Sequence, residues 1–247
     1  RLLNQIGISV PDGSANKEYI ENLAGNFIVY DNLNLEVRGG ADTKYGYNGD
    51  SLIKLTPLEL EEPADNGVTY EVEGWFYPPN YNMFTAFTSR KKFLELMEKA
   101  GMYNGKTYSF TFAAGDNYTI FVPSDSALEA AGADSLSVEE LELFLKYHFV
   151  KGEMIFTDGK KSSGEYQTMR IDESSTSLFT KFTPLEIGTG TDYLEVFNRE
   201  GVLLGRINEE EGKTNVMITT DTDDGSTSVF DNITTSIIHD IDFVIQK

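Results

Sequence analysis

The chain has 247 residues, no cysteine, and 40 acidic against 20 basic side chains, for a formal net charge of −20. A hydrophobic share of 40% with ordinary Gly and Pro content describes a globular chain, long enough for one large domain or two moderate ones. Without cysteine there is no disulfide, thiolate metal site or cysteine nucleophile, and the dispersed acidity makes nucleic acid and anionic membrane poor partners.

No apolar run approaches the roughly 18 residues of a membrane span. The opening RLLNQIGISV lacks an initiator Met and a signal-like segment, as expected of a processed or trimmed piece of something longer. With 13 Tyr, 16 Phe and many β-branched residues, the composition favours strands. NFIVYDNLNLEV (26–37) and DSLIKLTPLEL (50–60) read as strands between Gly, Asn and Asp turns, and GVTYEVEGWF (67–76) as another. FYPPNYN (76–82) carries the Pro pair and Asn of a linker, placing a boundary near residue 80.

Downstream the pattern turns helical. In SRKKFLELMEKAG (89–101), Ser89 is the expected N-cap, Phe93, Leu94 and Met97 share a face, and Gly101 stops the helix. YTIFVPSD (118–125) is a strand ended by Pro123, with Ser124 or Asp125 capping a short helix. In SVEELELFLKYHFVKG (137–152), Ser137 and Glu140 form a capping box. Leu141, Phe144, Leu145 and His148 make one stripe of that helix, and Gly152 closes it. Strands follow in GEYQTMRI, SLFTKF, YLEVFN, TNVMITT and SIIHDIDFVI. Helices early and strands late predict an α+β unit.

Alternation along SIIHDIDFVI (236–245) puts Ile237, His239, Ile241, Phe243 and Ile245 on one strand face, and Ile238, Asp240, Asp242 and Val244 on the other. In GVTYEVEGWF, Val68, Tyr70, Val72 and Phe76 take the places of Ile237, His239, Ile241 and Ile245, while Glu71 and Glu73 match Asp240 and Asp242. The shared pattern predicts two related units.

Three boxes in order along 81–247 resemble the fasciclin-like domain family. YTIFVPSDSALEA resembles its strand-to-helix box, LKYHFVKG its Tyr-His motif at Tyr147 and His148, and SIIHDIDFVI its closing box at Ile238, His239, Ile241 and Asp242. The Asn-Gly pair that usually opens the closing box is replaced by Thr235 and Ser236. Residues 1–80 resemble only the later half of such a domain, keeping Asn66-Gly67 but with Tyr70 where His is usual. The resemblance implies a β-sandwich or wedge with helices packed at one side over 81–247, preceded by a strand-rich partial copy over 1–80.

It also implies a non-catalytic adhesion or binding module, without cofactor, at the cell envelope. The acidic, Cys-free, Tyr- and Asn-rich style resembles surface proteins of gut-type Bacteroidetes, in which an anchoring lipidated Cys would lie upstream of Arg1. The expected partners are proteins or glycans at the cell surface. In some family members the Tyr-His region is implicated in adhesion, which makes Tyr147 and His148 the binding candidates by analogy. A protonated His148 at a helix C-terminus would gain roughly 0.3–1 kcal/mol; the competing reading is a helix-end packing residue.

His239, like Tyr70 in the related strand, is assigned to the core, since a flat apolar ring with a polar tip suits such a face and a catalytic base would not tolerate the exchange. Trp75, Tyr77 and Tyr81 could stack on sugars or pack the two units together. Asp221, Asp223 and Asp224 resemble a calcium loop in composition, but Gly225 comes one residue early, so a solvated turn is expected and no metal site. GTGTDY (188–193) has Gly188 and Gly190 but lacks the phosphate-loop Lys. Ser236 and Asp240 lie on the face opposite His239, so no hydrolytic constellation forms there. The rivals are glycan capture, a glycoside-active enzyme whose turnover depends on a carboxylate pair, and a structural spacer without a ligand.

Overall fold

The computed structural model describes residues 17–21, 27–31, 34–38, 53–58, 69–73, 82–112, 116–177, 181–220 and 234–246. The chain divides into two compact units, Arg1–Tyr81 and Asn82–Lys247.

In the first unit β1 (Lys17–Glu21), β2 (Phe27–Asp31), β3 (Glu36–Arg38), β4 (Ile53–Pro57) and β5 (Tyr70–Val72) form one sheet in chain order, each pair antiparallel. The alternation is legible in β4, where Ile53 and Leu55 are buried and Lys54 and Thr56 exposed. These two pack with Ile20, Ile28, Tyr30 and Val37, and Leu35 and half-buried Tyr70 lean on that core. Val72, expected on the apolar face, is instead 40% exposed. It is the last residue of the three-residue β5, at the end of the sheet order, so little surrounds it.

The second unit opens with α1 (Met83–Thr88) and α2 (Lys91–Lys99), followed by the short β6 (Tyr103–Asn104) and β7 (Ser109–Phe110), paired as a hairpin. Then come β8 (Tyr118–Pro123), α3 (Asp125–Ala130), a 3-10 turn at Ala133–Ser135, α4 (Val138–Lys146) and β9 (Phe149–Lys151). The chain continues through β10 (Gly164–Ile171), β11 (Phe182–Gly190), β12 (Tyr193–Phe197), β13 (Leu203–Asn208), β14 (Val216–Thr220) and β15 (Thr234–Ile241). Eight strands form one sheet in the order β13-β12-β11-β10-β9-β8-β15-β14. All neighbours are antiparallel except β15 and β8, which run parallel with His239 opposite Phe121. The sheet curls, bringing the ring of Phe243, just past β15, against Gly205 of β13, where an added Cβ would lie 2.2 Å from a ring carbon. Gly205→Ala is therefore expected to cost about 1–3 kcal/mol by overpacking, read as a lowered urea midpoint.

The concave face encloses Phe121, Tyr147, Val150, Ile155, Leu185, Ile187, Leu194, Val196, Ile207, Ile241 and Ile245. The other face carries the helices: Phe93 of α2 stacks on Phe149 of β9 with centroids 6.1 Å apart, and Phe112 meets Phe149 edge-on at 4.9 Å. β8 and β15 are consequently buried on both faces. Thr235, Ser236, Ile237, Ile238 and His239 are all 2% exposed or less. The expectation of a half-buried strand fails here because a central parallel pair is covered on both sides.

The expected caps hold where their hydrogen bonds are local. The Ser124 hydroxyl accepts from Ala127 N at the start of α3, and Ser137 and Glu140 complete a reciprocal capping box on α4. Gly101 ends α2 in the left-handed region (φ 71°), with Met102 N–H reaching back to Met97 O at 2.9 Å.

Ser89 does not cap α2. The stretch read as linker ends at Asn82, whose side chain caps α1, so Ser89 is the C-cap of that helix and its hydroxyl donates to Ala86 O. Leu96 rather than Leu94 joins Phe93 and Met97 in the buried face of α2. α4 stops at Lys146, not Gly152, because Phe149–Lys151 is taken into the sheet between β8 and β10, and tertiary pairing overrides the helical stripe. Thr235 and Ser236 do not turn; they sit inside β15, where Ser236 Oγ accepts from Tyr118 N–H at 2.9 Å. GTGTDY is the β11–β12 hairpin, with Asp192 at φ 66° and the Tyr193 ring filling the space beside Gly190.

Candidate functional site

Both histidines are 0% exposed, and each ring joins two backbone segments distant from each other. His148 lies in the turn between α4 and β9. Its Nδ1 donates to Phe144 O at 3.0 Å, and its Nε2 accepts from Ile245 N–H at 3.0 Å. Phe93 and Phe144 meet the ring edge-on at 6.4 and 4.9 Å. In His239 the tautomer is reversed: Nε2 donates to Ile155 O at 2.9 Å, while Nδ1 accepts from Asn215 N–H at 3.4 Å. The ring stacks on Phe121 at 5.7 Å.

Asn215, itself left-handed (φ 55°), continues this network. Its Nδ2 donates to Thr157 Oγ1 at 2.6 Å, and its Oδ1 accepts from Thr157 N–H at 3.1 Å. Thr157 in turn donates to Glu209 Oε2 at 3.1 Å.

Each histidine thus serves as one donor and one acceptor, which only the neutral ring can do. Burial lowers both from the ordinary 6.5 to about 4, with the backbone carbonyl bonds pulling the other way. The expected charge–dipole gain of a protonated His148 is therefore not realised. Tyr147 is likewise 0% exposed. Its hydroxyl donates to Pro184 O at 3.3 Å, the Arg170 guanidinium lies 5.6 Å from its ring centre, and burial pushes its phenol up. Neither Tyr147 nor His148 offers a contact surface. Trp75, Tyr77, Tyr81 and Asp221, Asp223 and Asp224 lie outside the described residues.

A cleft of about 580 Å3 opens at the C-terminal ends of β8 and β15. Val122, Pro123, Ile207 and Ile241 give it an apolar lining, and Arg90, Arg206, Lys213, Asp125, Glu210, Asp240 and Asp242 add mixed charge. Asp240, on the helix side of β15, holds Arg90 in a fork of 2.5 Å (Nε to Oδ1) and 2.9 Å (Nη2 to Oδ2), across 150 residues of sequence. Arg90 Nη1 also donates to Ala86 O at 2.8 Å, tying α1, α2 and β15 together. Burial raises the Asp240 carboxyl, against the pull of Arg90 and Lys213. Sequence reasoning missed this pair; the single signal was Asp240 on the strand face opposite His239.

The side chain of Arg90 is 9% exposed and that of Asp240 30%. Removing one partner strands the other's charge in a half-dry site. Arg90→Ala is expected to cost about 2 kcal/mol, measured as a lowered urea midpoint at unchanged slope. Asp240→Asn should cost a comparable amount, because it strands the more deeply buried guanidinium, which then keeps Ala86 O and Ser89 Oγ but no opposite charge.

The sequence profile of the Fasciclin domain matches residues 88–247, which take in the curled sheet, α2 to α4 and both histidines. The chain belongs to the fasciclin domain family. The fold is the α+β fasciclin fold, and fasciclin domains are generally adhesion modules. Among curated proteins, the chain is similar to a fasciclin-like arabinogalactan protein, elcF, of Phaeosphaeria nodorum, at 29% identity over 105 residues. That match covers 42% of this chain and spans about a third, 32%, of the relative. Among solved structures, a FAS1 domain pair from the insect cell adhesion molecule Fasciclin I aligns over 94% of this chain and 71% of that one, at TM-score 0.39 and 12% identity. Within this fasciclin domain the Tyr-His motif and the closing-box histidine are both built into the interior. No helix among the described residues is long and apolar enough to cross a membrane.

Proposed function

We propose that this chain is a non-catalytic, extracytoplasmic binding module of the adhesion type, anchored and displayed at a bacterial cell envelope. The observation that carries the non-catalytic reading is the state of the two histidines. Every ring nitrogen is engaged with backbone, and both rings are sealed from solvent, so neither can act as general base toward a substrate. Family membership over 88–247 supports adhesion as the role.

Residues 1–80 are read as the later half of a second such domain on the likeness of 67–76 to 236–245, and the antiparallel β4–β5 pair with half-buried Tyr70 against that unit's core supports the reading. The partners are proteins or glycans at the cell surface, met by exposed surface rather than by Tyr147 and His148.

The test is binding of the purified chain to an array of polysaccharides and matrix proteins at low and high salt. Saturable association without product formation is the expected result. Turnover of any array member, abolished by neutralising one carboxylate pair, would replace the binding module with an enzyme, and silence across the array would leave a spacer.

A further inference from the structure

The β6–β7 hairpin (103–110) reads YNGKTYSF and holds one charged side chain, Lys106, in a chain of net charge −20. Tyr108 sits at φ 56°, a left-handed conformation costly for a bulky side chain and one that Gly or Asn would adopt more easily. Core burial does not offset that cost, because Tyr108 is 62% exposed. Its ring is nonetheless anchored: Phe84 of α1 meets it edge-on with centroids 5.0 Å apart, and Phe84 stacks on the buried Tyr103 at 6.2 Å. Asn104, Lys106, Thr107 and Ser109 are exposed around it. The hairpin is tied internally by Lys106 N–H to Asn104 Oδ1 at 3.0 Å and by Thr107 Oγ1 to Ser109 Oγ at 2.7 Å. A rigid, amphipathic tyrosine beside Asn, Ser and Gly is the chemistry of binding loops, and the prior ordering lowers the entropy lost on association.

We infer that Tyr108, propped on Phe84, is a stacking platform for a neutral pyranose polysaccharide. The C–H face of a pyranose matches an exposed phenol ring, and the sugar hydroxyls match the surrounding amide and hydroxyls. A protein hot spot would set the ring in an apolar, desolvated surround, whereas beyond Phe84 the exposed residues around it, Asn104, Lys106, Thr107 and Ser109, are polar. An acidic glycan would be repelled by the chain's overall charge. The inference rests on the binding-module reading and narrows it to one ligand class and one surface.

The experiment is affinity electrophoresis in gels containing neutral polysaccharides (a β-glucan, a xyloglucan, a mannan and starch), run with the wild-type chain, Tyr108→Gly and Tyr108→Trp, alongside thermal melts. Retardation of the wild type by at least one of these is expected, with apparent affinity falling about tenfold or more in Tyr108→Gly and retained in Tyr108→Trp. Because the backbone strain relieved by glycine offsets the lost Phe84 contact, Tyr108→Gly should remain cooperatively folded and melt within a few degrees of the wild type, which separates a lost contact from a lost fold. Unchanged retardation of Tyr108→Gly, or a wild type that no neutral polysaccharide retards, overturns the inference. If matrix proteins are still bound in the second case, the binding-module reading survives without it; if nothing is bound, both fall.

Discussion

Lowering the pH from 7 to 4 is expected to remove about 3 kcal/mol of stability for each histidine, a large share of what a domain of this size holds. In the unfolded chain each ring takes up its proton near pH 6.5, whereas in the folded chain burial delays uptake to about 4. The stabilisation is therefore complete above pH 6.5, declines as the pH falls through the window between the two values, and is gone below about 4. The raised Asp240 carboxyl also takes up its proton as the pH falls toward the bottom of that window, and relief of the net charge acts in the opposite direction. Non-titrating controls are needed for that reason. His148→Gln and His239→Gln, combined, should be less stable at pH 7 yet show a flatter dependence of the urea midpoint between pH 7 and 4.5. Parallel profiles for variant and wild type would show that the rings are not held neutral.

Tyr147→Ala with His148→Ala is the second large effect. The phenol ring fills the concave core and the imidazole clasps α4 to the segment after β15, so the loss should reach about 3–5 kcal/mol for the ring and a further 1–3 for the stranded Ile245 N–H and Phe144 O. At physiological temperature such a variant is expected to be partly or wholly unfolded, by loss of near-UV circular dichroism. A fall in adhesion in this variant would then report the fold and not a contact. His239→Phe is the milder comparison. It keeps the stack on Phe121 but leaves Asn215 N–H and Ile155 O without the ring, and a chain that still folds should bind as the wild type does. A well-folded His148→Ala variant of undiminished stability that lost binding would return the Tyr-His motif to the surface.

Much of this was legible from local pattern. Ser124 and the Ser137–Glu140 box announce helices because their hydrogen bonds close within four residues, and β10 and β12 follow from alternation and flanking turns. The end of α4 was not legible, since Tyr147 to Val150 continue an apolar helical stripe and leave it only because β8 and β10 supply a ladder on either side. β13 escaped notice for a related reason: LLGRIN has a central glycine and weak alternation, and its meaning comes from Phe243 lying on Gly205. The histidine motifs were visible as motifs. Their burial was legible too, for His239 from the apolar residues it alternates with on one strand face and for His148 from its place on the stripe of Leu141, Phe144 and Leu145, whereas Arg90 and Asp240 are joined by the topology alone.

The placement of β15 also governs how the domain assembles. β8 ends at residue 123, but its parallel neighbour is drawn from residues 234–241, and Tyr118 is tied to Ser236 across 118 residues. Until that late segment inserts, β8 and β14 cannot be bridged, and a strand apolar on both faces stands with an open edge. The slow step of folding should be closure of this one long loop, with the exposed edge of β8 as the species most prone to aggregate before it closes.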